Sequence, residues 1–202
     1  KDGIIVREYY AKGMHPTTKH MIHSTGKSWT SAIWHDVLLP VMDKTVGELM
    51  PELAESIYGD QTVRSVVDMR VPVYWGENFD DPESPVVLGF AATGLEYKNP
   101  TYDIVAFLNG LKRNPKLENG DWYYVSANSN VMGLLGPKLA GVHSYEGIRR
   151  FVEAIGMEHI SGSVANLHGQ YGASGDQYMT LRDAVKLPFV MANNGRAGDR
   201  QV

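Results

Sequence analysis

The sequence predicts a single globular domain that is mainly helical, with one or two strands and no doubly wound sheet. Three observations carry this. The chain has 202 residues of which 43% are hydrophobic, enough apolar surface for one core at roughly 100 to 200 residues per domain. Four Trp, eleven Tyr and five Phe argue against disorder, since chains that cannot recover their conformational entropy by burial are poor in such residues. Segments of helical spacing also follow one another without the regular strand and helix alternation that builds a parallel sheet.

The elements follow in order. Asp2-Gly3 is a hairpin turn pair, and Ile4-Ile5-Val6-Arg7-Glu8-Tyr9-Tyr10 is rich in β-branched and aromatic residues, so 4–10 is expected to be the second strand of a hairpin. Its first strand is expected before Lys1. Gly13 to Thr18 reads as a loop, and Ser24 to Leu39 as a helix entered near Ser24. Pro40, Pro51 and Gly59 break 40–61 into short helical turns, and Thr62 to Met69 is a helix carrying Val63, Val66 and Val67. Pro72 to Pro85 is irregular, with Trp75, Phe79 and an Asp80-Asp81-Pro82-Glu83 turn. Ile104, Val105 and Leu108 give Tyr102 to Leu111 a helical spacing, and Asn119-Gly120 is a turn. Trp122 to Ser126 is extended, Asn130 to Leu139 helical, and Tyr145 to Ile155 a helix stopped by Gly156. A Gly-rich stretch, 169–175, precedes a helix over 180–192.

Composition excludes several classes of function. Nineteen basic against 23 acidic residues give a formal charge of −4, without the basic footprint that nucleic acid or anionic lipid demands. Zero Cys removes disulfides, thiolate metal sites and a cysteine nucleophile together. No apolar run approaches the roughly 18 residues of a membrane helix, no period of 20 to 50 residues repeats, and Lys1-Asp2-Gly3 shows no signal-peptide pattern. The expectation is a soluble protein, cytoplasmic rather than periplasmic or secreted, with a signal peptide removed before Lys1 left open, and no nucleic-acid or membrane partner. His20 and His23 would share a helical face, but the carboxylate of a zinc His-Glu-x-x-His motif is absent, and no metal or other cofactor is expected. Gly26-Lys27-Ser28 copies the end of a phosphate-binding loop, yet Met21 stands where that loop requires Gly.

Ser24-Thr25-Gly26-Lys27 is the first element with chemistry. Residues three apart on a helix are neighbours, so hydroxyl and amine share one face. A serine alcohol is a weak nucleophile until a base takes its proton, and a desolvated lysine can serve. At a helix start, the N-terminal dipole and free N–H groups also face the reacting carbonyl. A plain N-cap serine beside a solvated lysine would give the same letters. The second element, Tyr124-Val125-Ser126, places a phenol and a hydroxyl on one side of an extended segment. Beside a lysine, that phenol could carry a proton from nucleophile to leaving group.

With these residues the sequence resembles the penicillin-recognising serine hydrolases: serine β-lactamases, D-Ala-D-Ala peptidases and related esterases. Ile22 to Ser31 resembles their nucleophile segment, and Tyr124-Val125-Ser126 their Tyr-x-Asn or Tyr-x-Ser element. Val46-Gly47-Glu48-Leu49-Met50-Pro51-Glu52-Leu53, Val63 to Met69 and Leu181-Arg182-Asp183 are similar to further signposts, in the same order. Tyr124 to Val131, and Asp68 through Asp81-Pro82-Glu83-Ser84, are similar above all to the 6-aminohexanoate-dimer hydrolase group and the β-lactamase-like carboxylesterases that overlap it. Ser126 in place of Asn favours an esterase or linear-amide hydrolase over a β-lactamase. The family's third element, a Lys-Thr-Gly or His-x-Gly strand, has no match; His168-Gly169-Gln170 copies its letters but precedes Leu181-Arg182-Asp183.

The resemblance implies an α+β fold, an antiparallel sheet flanked by helices with a mainly helical region beside it. Residues 1–202 would form one such domain, incomplete, with its first strand and its C-terminal strands outside the chain. It also implies acyl transfer to water on a small ester or amide, with Ser24 as nucleophile, Lys27 and Tyr124 handling the proton, and Ser126 supporting them. The Ser24 N–H would supply half of the oxyanion hole and a later strand the other half. Trp29, Trp75 and Tyr123 are candidate pocket walls. A β-lactamase or D-amino-acid peptidase is the alternative within the family, and a non-catalytic binding relative or inactive fragment the alternative outside it. Oligomeric state, and the activity of the 202 residues by themselves, stay open.

Overall fold

A computed structural model describes residues 3–95, 100–159 and 161–202. The chain pairs strand β1 (His20–Met21) with β3 (Gln177–Met179), and β3 with β2 (Gly162–Ser163), in an antiparallel sheet of order β1-β3-β2. His20 lies opposite Met179 and Met21 opposite Tyr178, so the chain leaves β1 for its first helix beside the start of β3. A second antiparallel pair joins β4 (Arg196–Ala197) to β5 (Arg200–Gln201). Helices cover the rest, as the α+β expectation requires.

Five of the ten described α-helices begin where their sequence supplies a side-chain cap. After the 3-10 turn His23–Thr25 come α1 (Gly26–Ile33) and α2 (His35–Leu38), broken at Trp34 where a single helix was expected. Thr45 and Glu48 form a reciprocal capping box on α3 (Val46–Leu49), and the Thr62 hydroxyl accepts from the Ser65 N–H at the start of α4 (Val63–Val67). Next come α5 (Pro85–Thr93), α6 (Ile104–Gly110) capped by Asp103, α7 (Ala127–Ala140) and α8 (Ser144–Ala154). Thr180 caps α9 (Leu181–Ala184), and α10 (Lys186–Ala192) follows. Three of the signposts seen in the sequence are therefore short helices, each opened by a threonine.

The larger core surrounds α7. Val131, Met132 and Leu135 meet Leu38, Val46, Leu53, Val63, Val66, Ile104 and Leu108, all buried. A smaller core joins Trp29, Ile155, Met179, Leu187 and Val190 on the other side of α1. The turn that carries Ser24 links β1 to α1.

One expectation needs correction. Residues 4–10 carry no regular secondary structure, and neither sheet includes them. A strand takes its geometry from a neighbouring ladder, and side-chain composition cannot replace that ladder. The segment is held instead by Glu8, whose carboxylate pairs with both Arg182 nitrogens at 2.7 Å. Trp122 to Ser126, expected to be extended, lies outside both sheets. Asp2 of the expected Asp2-Gly3 turn lies outside the described residues.

Candidate active site

Ser24 is the central residue of the turn His23–Thr25 and is exposed, while Lys27 lies in the first turn of α1 and is 8% exposed. The Lys27 Nζ donates to Ser24 Oγ at 2.9 Å and to the Ser174 carbonyl at 2.6 Å. Three features fix this turn. The Ile22 N–H donates to the Gln177 carbonyl at 2.9 Å, which continues the β1–β3 ladder up to the Ser24 turn. His23 takes φ +46°, in the left-handed region that non-glycine residues enter rarely and mostly at turns. Gly175 approaches from the other side, so closely that a Cβ would lie 2.8 Å from the His23 carbonyl carbon.

Lys27 also stands over the Tyr124 ring, its Nζ 5.2 Å from the centroid, a distance at which a cation is attracted to the ring face. Among the described residues the Tyr124 hydroxyl takes no hydrogen-bond partner. Ser126, 8% exposed, donates to Glu77 Oε1 at 2.7 Å, and the same oxygen accepts from Trp75 Nε1 at 3.1 Å. Ser24, Lys27, Trp75, Glu77, Ser126 and Asp176 face one cleft of ≈ 540 Å³. Of the sequence-derived site residues, the structure thus gathers Ser24, Lys27, Ser126 and Trp75 around the cleft, with Tyr124 against Lys27.

Trp29 and Tyr123 are not cleft walls. Trp29 is 1% exposed and stacks edge-on to Phe151 in the smaller core. Two residues along a helix turn the side chain by about 200°, so a Lys27 that faces the cleft sends Trp29 to the opposite side. There it borders a separate hollow of ≈ 560 Å³ between α8 and the sheet. The Tyr123 hydroxyl donates to the Trp75 carbonyl at 3.0 Å, holding that cleft residue from behind. Ser28, the other serine hydroxyl next to Lys27 in sequence, is exposed in another groove beside α2.

Sequence reasoning missed two carboxylates. Glu77 lies in the irregular 72–85 stretch, where a lone acidic residue has no pattern to mark it. Asp176, 1% exposed, ends the Gly-rich loop that the sequence did single out. Burial pushes its carboxyl up to about 6, against the opposing pull of the Thr93 hydroxyl and the Lys27 charge.

No family model matches the chain. It is 25% identical over 206 residues to the 6-aminohexanoate-dimer hydrolase of Paenarthrobacter ureafaciens, covering 96% of this chain and 50% of that protein. Among solved structures, a Bacillus anthracis protein assigned as a 6-aminohexanoate-dimer hydrolase superposes with a TM-score of 0.84 at 21% identity, over 96% of this chain and 53% of that one. A class C β-lactamase from Rhodobacter sphaeroides superposes with a TM-score of 0.61 at 15% identity, over 92% and 55%. The fold is that of the penicillin-recognising serine hydrolases. The resemblance read from the motifs therefore extends over the three-dimensional structure. The chain spans about half the length of the curated relative it matches. Among the described residues no helix is long and apolar enough to cross a membrane.

Proposed function

We propose that the protein is a serine hydrolase that cleaves an ester or linear amide through an acyl-enzyme on Ser24. The observation that carries this is the 2.9 Å contact from Lys27 Nζ to an exposed Ser24 Oγ, at a helix start that opens into a cleft. Lys27 takes the hydroxyl proton as Oγ attacks the carbonyl carbon, and the Ser24 N–H donates to the oxyanion. Tyr124 passes the proton to the departing alcohol or amine, and Ser126, tied to Glu77, holds the cleft wall beside it. Water then attacks the ester formed on Oγ and releases the acid. The names of the relatives, two 6-aminohexanoate-dimer hydrolases, support an amide or ester as substrate.

The test is covalent labelling. A phosphonate probe should add its mass to the Ser24 peptide of the wild-type protein and to no peptide of Ser24→Ala. Label retained in Ser24→Ala and lost in Ser28→Ala would move the nucleophile by four residues. A folded protein that no serine probe labels would instead be a binding relative.

A further inference from the structure

The cleft beside Ser24 holds an ionisable group that the reaction above leaves unused. Asp176 lines the same cleft as Ser24 and Lys27, and among the described residues its buried Oδ2 takes no hydrogen-bond partner. The loop that carries it is anchored on both sides. Its N–H donates to the Gly172 carbonyl at 3.4 Å, and its own carbonyl accepts from the Val164 N–H at 3.2 Å. The carboxyl rests on Gly172, where a Cβ would come within 1.6 Å of Oδ2, so any other residue at 172 would displace it. Ser174, within the same turn, receives the Lys27 amine. One short turn thus fixes both the lysine and the carboxyl.

A buried carboxylate with an unsatisfied oxygen is costly unless a cation lies near, and Lys27 is the one Lys or Arg in the described cleft wall. We propose that Asp176 is a positioning residue for the Ser24–Lys27 pair, its carboxyl deciding by its charge whether Lys27 carries the extra proton that bars it from acting as a base. The inference rests on Lys27 being that base. An ionised Asp176 favours the ammonium, which has three N–H donors and no lone pair for the Ser24 proton. A neutral Asp176 lets Lys27 release one proton to water at the mouth of the cleft. The Ser24 proton then takes its place on Nζ as Oγ bonds to the carbonyl carbon, and leaves with the alcohol or amine. Among the described residues, the other titratable groups facing the cleft are His23, from the Ser24 turn, and Glu77, from the 72–85 segment; the Tyr124 ring lies against Lys27. Glu77 is already engaged by Ser126 and Trp75.

Asp176→Asn keeps the shape and removes the charge. The rate at which the phosphonate labels Ser24 should rise from a lower pH in this variant, its acid limb displaced downward by about one pH unit or more relative to the wild type. Superimposable limbs would overturn the proposal. A second measurement does not depend on activity: the Asp176 side-chain carbon, followed by NMR, should titrate at higher pH in Lys27→Met than in the wild type. An unchanged midpoint would overturn the proposal even if Asp176→Asn failed to fold. Failure of the wild type to label at Ser24 would count against the serine-hydrolase reading alone, and the carbon titration would still decide whether Asp176 and Lys27 are linked.

Discussion

Ser24 and Lys27 need nothing distant to find each other, because three residues at a helix start bring hydroxyl and amine to 2.9 Å. Tyr124 arrives through a hundred residues of intervening chain, and it presents its ring to Lys27. That separates two roles that one substitution would confound. Tyr124→Phe keeps the ring and removes the hydroxyl, whereas Tyr124→Leu removes both. If the hydroxyl carries the proton, Tyr124→Phe lowers kcat by about 100-fold, the usual contribution of a positioned acid or base, and Tyr124→Leu lowers it further. Near-normal turnover in Tyr124→Phe with a large loss in Tyr124→Leu would confine Tyr124 to holding the lysine. Lys27→Ala is expected to cost at least as much as Tyr124→Phe, with a double-variant loss far short of the product, since the two would act on one proton. The contrast also explains which site residues were legible in the sequence. Ser24, Lys27, Tyr124 and Ser126 are marked by short spacings that local geometry turns into shared faces. Glu77 and Asp176 acquire their places from tertiary contacts of irregular segments, and no spacing announces them. Trp29 and Tyr123 were misplaced because an aromatic next to a motif says nothing about which face it occupies.

Among the elements, a polar cap before an apolar stripe makes a helix easy to read. Thr62 before Val63, Val66 and Val67 is such a case. Residues 85–93 are apolar nearly all round, so α5 has no stripe to betray it. The strands are two or three residues long, too short for any alternation to register. The break at Trp34 is also a tertiary event, since its indole wedges between α7 and α8. A Cβ on Gly136 would lie 2.2 Å from that ring, and one on Gly147 2.0 Å from it. The indole N–H donates to the buried Tyr171 hydroxyl at 2.9 Å, so the ring cannot swing aside without breaking a hydrogen bond. Gly136→Ala should therefore destabilise the protein by about 1–3 kcal/mol through overpacking, despite the better helix propensity of Ala. Urea denaturation would show this as a lower midpoint at unchanged slope. A midpoint equal to or above the wild type would mean that Trp34 moves freely.

For the molecule as a whole, two buried aspartates set opposing dependences of stability on pH. Asp183 is fully buried and accepts from the Glu158 N–H at 2.8 Å, the His159 N–H at 3.2 Å and the Thr180 hydroxyl at 2.8 Å. Burial alone would raise its carboxyl; these donors and the Lys186 charge bring it below the ordinary aspartate range. Its contribution is full above the unfolded value and is lost as pH falls through the lower, folded one. Glu8, held at about 2 by Arg182 and Tyr10, acts in the same sense at the surface. Asp176 acts oppositely. Its folded value of about 6 lies above the ordinary 3.8, so between them the folded chain holds a proton that the unfolded chain has lost. Stability from this group is complete below the unfolded value and falls as pH rises through about 6, by about 3 kcal/mol in all. The wild-type Tm should consequently pass through a maximum on the acid side of neutrality. Asp176→Asn should remove the decline between about pH 4 and 6 while leaving the loss at lower pH in place. Thr180→Ala, which strips one donor from Asp183, should bring its folded value closer to the ordinary one, lowering Tm near neutrality and shrinking the acid-side loss. A Tm that rises continuously from pH 4 to 7 in the wild type, with Asp176→Asn parallel to it, would show that Asp176 is ionised throughout and that the cleft stabilises its charge.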